Sequence, residues 1–278
     1  MRRLPFALEC PPLSSSFPRN LICLALLAAA TSAHADVAID VAVSSVPTQQ
    51  VVQWVCAGTG LPANHVIVSI DRRHCGTLAT WHLAVASEGQ KVCSISPIPV
   101  GWTFDAITSV SNCEGLNAYT LRAPYSGLEV CATSPVPSPY GIDQIRASSH
   151  CKGLRAHRLL DVSNGGQVCW QSPIPADLNL VISRIDLASI CDGGNRKTLT
   201  VATDGINVCT LSPIPPSYVV ERIAFSSICR GANQYTLRLP VNGMAVCPLS
   251  PLPAGWFISG TMATGYCMTA TRSNLIWN

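Results

Sequence analysis

Residues 113–137 read CEGLNAYTLRAPYSGLEVCATSPVP. Cys113 is followed by Leu121 at +8, Gly127 at +14, Val130 at +17, Cys131 at +18 and then Ser134-Pro135-Val136-Pro137. The same pattern starts again at Cys75, Cys151, Cys191 and Cys229, and closes at Cys93, Cys169, Cys209 and Cys247. The period is about 38 residues, within the range of repeat architectures whose units are single supersecondary pieces.

Inside the unit the chemistry is that of strands. Leu83, Leu121, Leu159, Leu199 and Leu237 hold the +8 place, and Val92, Val130, Val168, Val208 and Val246 hold the +17 place. Between them stand Glu88-Gly89, Ser126-Gly127, Asn164-Gly165, Asp204-Gly205 and Asn242-Gly243. Asn-Gly and Asp-Gly pairs are strong hairpin signals because a type I′ turn needs positive φ at both central residues. A two-residue turn there sets +17 opposite +10, with Leu and Val on one buried face. The closing Cys then points to the other face, and the bridges are expected outside the main core.

Each Ser-Pro-x-Pro run lacks two amide donors and reads as a stiff connector, not a ladder strand. Third strands are expected at 102–110, 142–148, 180–190, 219–228 and 256–263. The fold class is therefore all-β, built from tandem disulfide-linked three-stranded repeats. Full repeats start at about Cys75, Cys113, Cys151, Cys191 and Cys229. A partial repeat precedes residue 75 and another follows from Cys267. Val51 to Cys56 resembles a closing strand and Ser273 to Trp277 an opening one, so the termini split a repeat. That leaves a closed propeller-like ring or an open solenoid or rod. Val37 to Val43 alternates and is a candidate extra strand.

The first 35 residues read as a cleavable export signal: Arg2, Arg3 and Arg19, an apolar run from Leu21 to Ala30, and the small-x-small site Ala33-His34-Ala35. The expectation is a bacterial protein, secreted or periplasmic, cut after Ala35, with 36–278 as one β-repeat domain. No other segment approaches a membrane span. Without Arg2, Arg3, Arg19 and Glu9, Lys+Arg falls from 18 to 15 and Asp+Glu from 15 to 14. A net charge near zero argues against a nucleic-acid partner.

Without Cys10 and Cys23, twelve of the 14 cysteines remain. An even count at regular spacing in an exported chain reads as a disulfide framework. Two schemes compete. One spans the connectors: Cys56–Cys75, Cys93–Cys113, Cys131–Cys151, Cys169–Cys191, Cys209–Cys229 and Cys247–Cys267. The other pairs cysteines within each Leu-to-Val hairpin and leaves Cys56 and Cys267 to close a ring. The first needs no global closure. Zinc is disfavoured because no closely spaced Cys pair exists, and no cofactor is expected.

Two aromatic ladders are candidate ligand platforms. Nine residues after the connector-side Cys come His65, Trp102, Tyr140, Leu178, Tyr218 and Trp256; of these Trp102, Tyr140, Tyr218 and Trp256 are the candidate ligand-binding residues. Six residues after the other Cys come Trp81, Tyr119, His157, Lys197 and Tyr235, on the same face as the core leucines. Cys209-Thr210-Leu211-Ser212-Pro213-Ile214-Pro215-Pro216 resembles the reactive loop of Bowman-Birk protease inhibitors, which implies a rigid inhibitory loop. The similarity covers eight residues and differs by carrying Pro-Ile between Ser and Pro-Pro.

No catalytic constellation is visible: carboxylates are scattered, and there is no phosphate loop, nucleophile elbow or metal-binding His pair. Asp71-Arg72-Arg73-His74 is the densest polar cluster and reads as a solvated strand end. The functional expectation is a non-enzymatic binding or surface-structural protein whose partners are polysaccharide or extracellular protein. The alternative is a protease inhibitor or defence effector using the Ser-Pro-x-Pro loops.

Overall fold

The computed structural model describes residues 53–263, 265–268 and 271–277. The signal segment, Cys10, Cys23 and the candidate strand at Val37–Val43 lie outside the described residues.

Six three-stranded antiparallel sheets follow one another along the chain. The first holds β1 (Gln53–Cys56), β2 (His65–Asp71) and β3 (Thr80–Val85); the second β4 (Lys91–Cys93), β5 (Thr103–Ser109) and β6 (Asn117–Arg122). The third holds β7 (Glu129–Cys131), β8 (Tyr140–Ala147) and β9 (Arg155–Asp161); the fourth β10 (Gly166–Cys169), β11 (Leu180–Leu187) and β12 (Asn195–Val201). The fifth holds β13 (Asn207–Cys209), β14 (Val219–Phe225) and β15 (Asn233–Arg238); the sixth β16 (Ala245–Val246), β17 (Trp256–Ala263) and β18 (Thr271–Trp277). In every sheet the last strand is central, flanked by the first and second.

This order corrects the expected hairpin. Val92 pairs with Tyr119 and Cys93 with Ala118, both on β6. The strand of Leu83 belongs to the preceding sheet, opposite β1 and β2. The reason lies in the turn. Gly205 has φ +79° and Gly243 +77°, but Asp204 and Asn242 are absent from the positive-φ residues. Ile206 N–H donates to Thr203 O at 3.2 Å, so the turn has only its Gly in the left-handed region, as in type II. Type II geometry splays flanking strands where I′ would pair them. The Gly amide turns instead to the next repeat: Gly89 donates to Leu121 O, and Leu121 N–H returns to Gln90 O, both at 2.9 Å.

The unit therefore begins at the closing-Cys strand, half a repeat earlier than the sequence frame. Six complete units result among the described residues, and β1 and β18 do not share one. Outer strands β2, β5, β8, β11 and β14 each lie beside the first strand of the following sheet. Among the described residues the arrangement is an open succession: Ile258 on β17 is 52% exposed, with no described strand of another sheet placed against it.

All six bridges span the connectors, Cys56–Cys75 through Cys247–Cys267, as the first pairing scheme has it. Their placement corrects the second expectation. The ten cysteines from Cys93 onward are at most 1% exposed. Cys93 and Cys113 pack with Ile67, Ile70 and Leu83 of the preceding sheet, and Cys209 and Cys229 with Ile182, Ile185 and Leu199. The bridge faces away from its own sheet's Val, as alternation requires, but that side is covered by the apolar face of the sheet before it. The core is a chain of such joints, and each bridge is its filler.

Each joint also carries a serine. Ser96, Ser134, Ser172, Ser212 and Ser250 receive the amides of Ile67, Phe104, Ile142, Ile182 and Val220 through Oγ at 2.8–2.9 Å. Those amides sit where a β-bulge shifts the register of the outer strand. A bulge leaves a backbone group without a ladder partner, and the hydroxyl supplies one. The prolines that follow give the connector its shape without further donors to satisfy.

Candidate functional site

Two large polar grooves open at joints between successive sheets. One, of about 580 Å³, lies between the fifth and sixth sheets and is lined by Gly205, Asn207, Glu221, Arg222, Thr236, Tyr266 and Arg272. The other, of about 530 Å³, lies between the second and third; Asp105, Ala106, Thr120, Arg122, Tyr125, Glu129, His150 and Ala156 are among its lining residues. Pairing registers make them equivalent places. Asp105 and Glu221 follow the bulge amides Phe104 and Val220, and Thr120 and Thr236 occupy the same point of the central strand.

The groove between the fifth and sixth sheets has an aromatic face between two cations. The Tyr266 ring, 57% exposed, lies 5.8 Å from the Arg222 guanidinium carbon and 5.5 Å from that of Arg272. Tyr266 is held by its backbone, whose carbonyl accepts Ile223 N–H at 2.9 Å. Arg272 donates through Nη2 to Glu221 O at 2.8 Å and to Ala245 O, while its Nε is buried with no hydrogen-bond partner. The Glu221 carboxylate lies 3.7 Å from Arg238, which also pairs with Asp204 at 3.0 Å. The Asp204 carboxyl is held below the usual range, first by the Leu239 amide and then by Arg238.

The groove between the second and third sheets is lined by fixed ion pairs. Arg122 bonds Asp105 at 2.6 Å and Glu88 at 3.0 Å, and its own pKa is raised by them, Asp105 first. Glu88 receives the Ala123 amide at 2.7 Å, the main cause of its lowered pKa. The other Asp105 oxygen, Oδ1, is buried without a hydrogen-bond partner, while Tyr125, also lining the groove, is 58% exposed.

The residues singled out from sequence lie elsewhere. Trp102 and Trp256 are half-buried against the Val–Leu clusters of their sheets. Tyr140 packs on Leu128, Val130 and Leu159 and donates its hydroxyl to Pro124 O at 3.0 Å. Tyr218, 9% exposed, does the same toward Ala202 O at 3.0 Å. In the fourth sheet Leu180, not Leu178, fills this place, since an inserted 3₁₀ turn at Ala176–Leu178 lengthens the connector. All four candidate rings pack against apolar clusters of the sheets, and the two tyrosine hydroxyls close on backbone carbonyls. The groove residues had no sequence signal beyond scattered Arg and Asp, because the lining joins strands of two sheets whose pairing the turns concealed.

In the second ladder, Tyr119 stacks on Phe104 with centroids 4.2 Å apart. His157 is half-buried and burial lowers its pKa. Lys197 is only 6% exposed. The polar cluster at Asp71–His74 resolves into local pairs: Asp71 with His82 at 2.9 Å, Arg72 with Glu114 at 3.1 Å, and His74 stacked on Trp54. In the loop that resembles an inhibitor, Ser212 is 8% exposed and bonded to the preceding sheet, while Leu211 is 57% exposed. Among the described residues no group of three His, Cys, Asp or Glu is placed to hold a metal, and no helix is long and apolar enough to cross a membrane.

No protein-family model, no curated protein and no solved structure matches this chain.

Proposed function

We propose that this is a secreted, non-enzymatic binding protein of a bacterium, and that its inter-sheet grooves take polysaccharide. Six disulfides in a repeat fold suit an oxidising compartment, and the first 35 residues carry the features of an export signal. The observation that carries the reading is Tyr266 flanked by Arg222 and Arg272 in a groove that Glu221 also lines. An exposed aromatic face packs on the apolar face of a sugar ring. Guanidinium forks beside it match a carboxylate or a pair of hydroxyls. Acidic saccharides are the favoured class because two guanidiniums converge there.

The test is calorimetric titration of the oxidised protein with neutral and uronic-acid polysaccharides. Binding of an acidic polymer should weaken about tenfold or more in Tyr266→Ala and in Arg222→Ala, both at exposed positions. Unchanged affinity in both variants, or no binding by the unmodified protein, overturns the assignment.

A further inference from the structure

The two ends of the repeat array are complementary halves of the joint that the chain builds five times internally. In each internal joint the residue at the bulge is covered: Ile67, Ile142 and Val220 are 1%, 3% and 0% exposed. The equivalent in the sixth sheet, Ile258, is 52% exposed, beside Phe257 at 50% and Trp277 at 56%. That face carries the apolar half of a joint without its bridge or its serine.

The first sheet carries the other half. Cys56 and Cys75 are half-buried, whereas every later bridge is at most 1% exposed. Thr59 stands three residues after Cys56, where Ser96 stands after Cys93, and makes the same turn: Thr59 N–H to Cys56 O at 3.1 Å, Ser96 N–H to Cys93 O at 2.8 Å. Thr59 is exposed, so a hydroxyl equivalent to the one that receives each bulge amide faces outward.

We propose that the sixth sheet of one copy docks on the first sheet of a second copy. Ile258 covers the Cys56–Cys75 bridge and the Ile258 amide donates to Thr59 Oγ1. The contact joins two different surfaces, so it does not close on itself as a symmetric dimer does; it propagates head to tail. Phe257 tunes the joint. Its place is filled internally by Val66, Thr103, Gly141, Val181 and Val219, and a Cβ added at Gly141 would meet Val168 Cγ1 at 2.8 Å. A benzyl group in so tight a place weakens the contact.

Sedimentation velocity on the oxidised protein over a concentration series tests this. The unmodified protein is expected to form a ladder of dimers, trimers and larger species. Ile258→Asp and Thr59→Lys, both at exposed positions, should each stay monomeric. Mixed together they should give a one-to-one heterodimer and nothing larger, since each retains one working end. Phe257→Val should strengthen association about tenfold. A protein monomeric at every concentration, as when residues 1–52 or another partner occupy an end, overturns the proposal. So do oligomers that persist in both variants, or a mixture that yields no heterodimer.

Discussion

Ser134 Oγ accepts the Phe104 N–H at 2.8 Å across the joint between the second and third sheets. Both residues are buried, and Thr103 Oγ1 bonds the same hydroxyl. Ser134→Ala strands a buried amide at a bulge, where no ladder partner can replace the oxygen. Such a loss costs about 1–3 kcal/mol. Urea denaturation should show that decrease, and hydrogen exchange should show faster exchange at Phe104. Ser134→Thr keeps the hydroxyl and should retain protection of the Phe104 amide even if its extra methyl lowers stability.

The bridges stabilise in two ways, and the two can be separated. Each closes a loop of about 20 residues, worth on the order of 3 kcal/mol as loop entropy. Cys93–Cys113 also fills the joint with Ile67 and Leu83, whereas Cys56–Cys75 is half-buried and, among the described residues, has no sheet before it. Replacing Cys93 and Cys113 by Ala should therefore cost more than replacing Cys56 and Cys75, by about 1–3 kcal/mol of lost packing. Equal losses in thermal denaturation would mean that the internal bridge contributes no packing.

Strand content, connector stiffness and the local pairing were legible because they depend on period-two alternation, proline chemistry and spacing. Strand partners were not. Asn242-Gly243 carries a dipeptide suited to a type I′ hairpin, yet only Gly243 takes positive φ, and Gly243 N–H is bound to Leu275 O at 2.9 Å in the next unit. The deciding energy is the nonlocal pairing of Ala245 and Val246 with β18, which no local propensity reports. The same error hid the grooves. Arg272 and Glu221 lie 51 residues apart in the chain and meet only because successive sheets adjoin.

Gly165 tests the turn geometry. Its φ is +86°, and an added Cβ would lie 2.5 Å from Leu199 O, a backbone atom that cannot step aside. Gly127 has φ +93° but open space around its missing Cβ. Gly127→Ala should cost about 1 kcal/mol, the conformational penalty alone. Gly165→Ala adds a clash and should cost at least about 2 kcal/mol more, as strain in a packed backbone does. Urea midpoints of the two variants check the difference.

Lys197 gives the protein a pH dependence on the alkaline side. It sits where Tyr119 and Tyr235 sit in the second and fifth sheets, opposite Val168. Its Nζ donates to Ser172 O at 2.6 Å and to Trp170 O at 3.2 Å, 5.6 Å from the Trp170 ring. Burial lowers its pKa from 10.5 to about 8. Below pH 8 both folded and unfolded chains hold the proton, and folding carries the full cost of burying the charge. Between about pH 8 and 10.5 the unfolded chain binds more protons than the folded one, so stability rises with pH through that window. Lys197→Met removes the titrating group while keeping an unbranched chain of similar length. Urea unfolding at pH 7 and pH 10 should show a gain for the unmodified protein that is reduced in the variant. An equal gain in both would place the alkaline dependence on other groups and would mean that Lys197 keeps its proton in the fold.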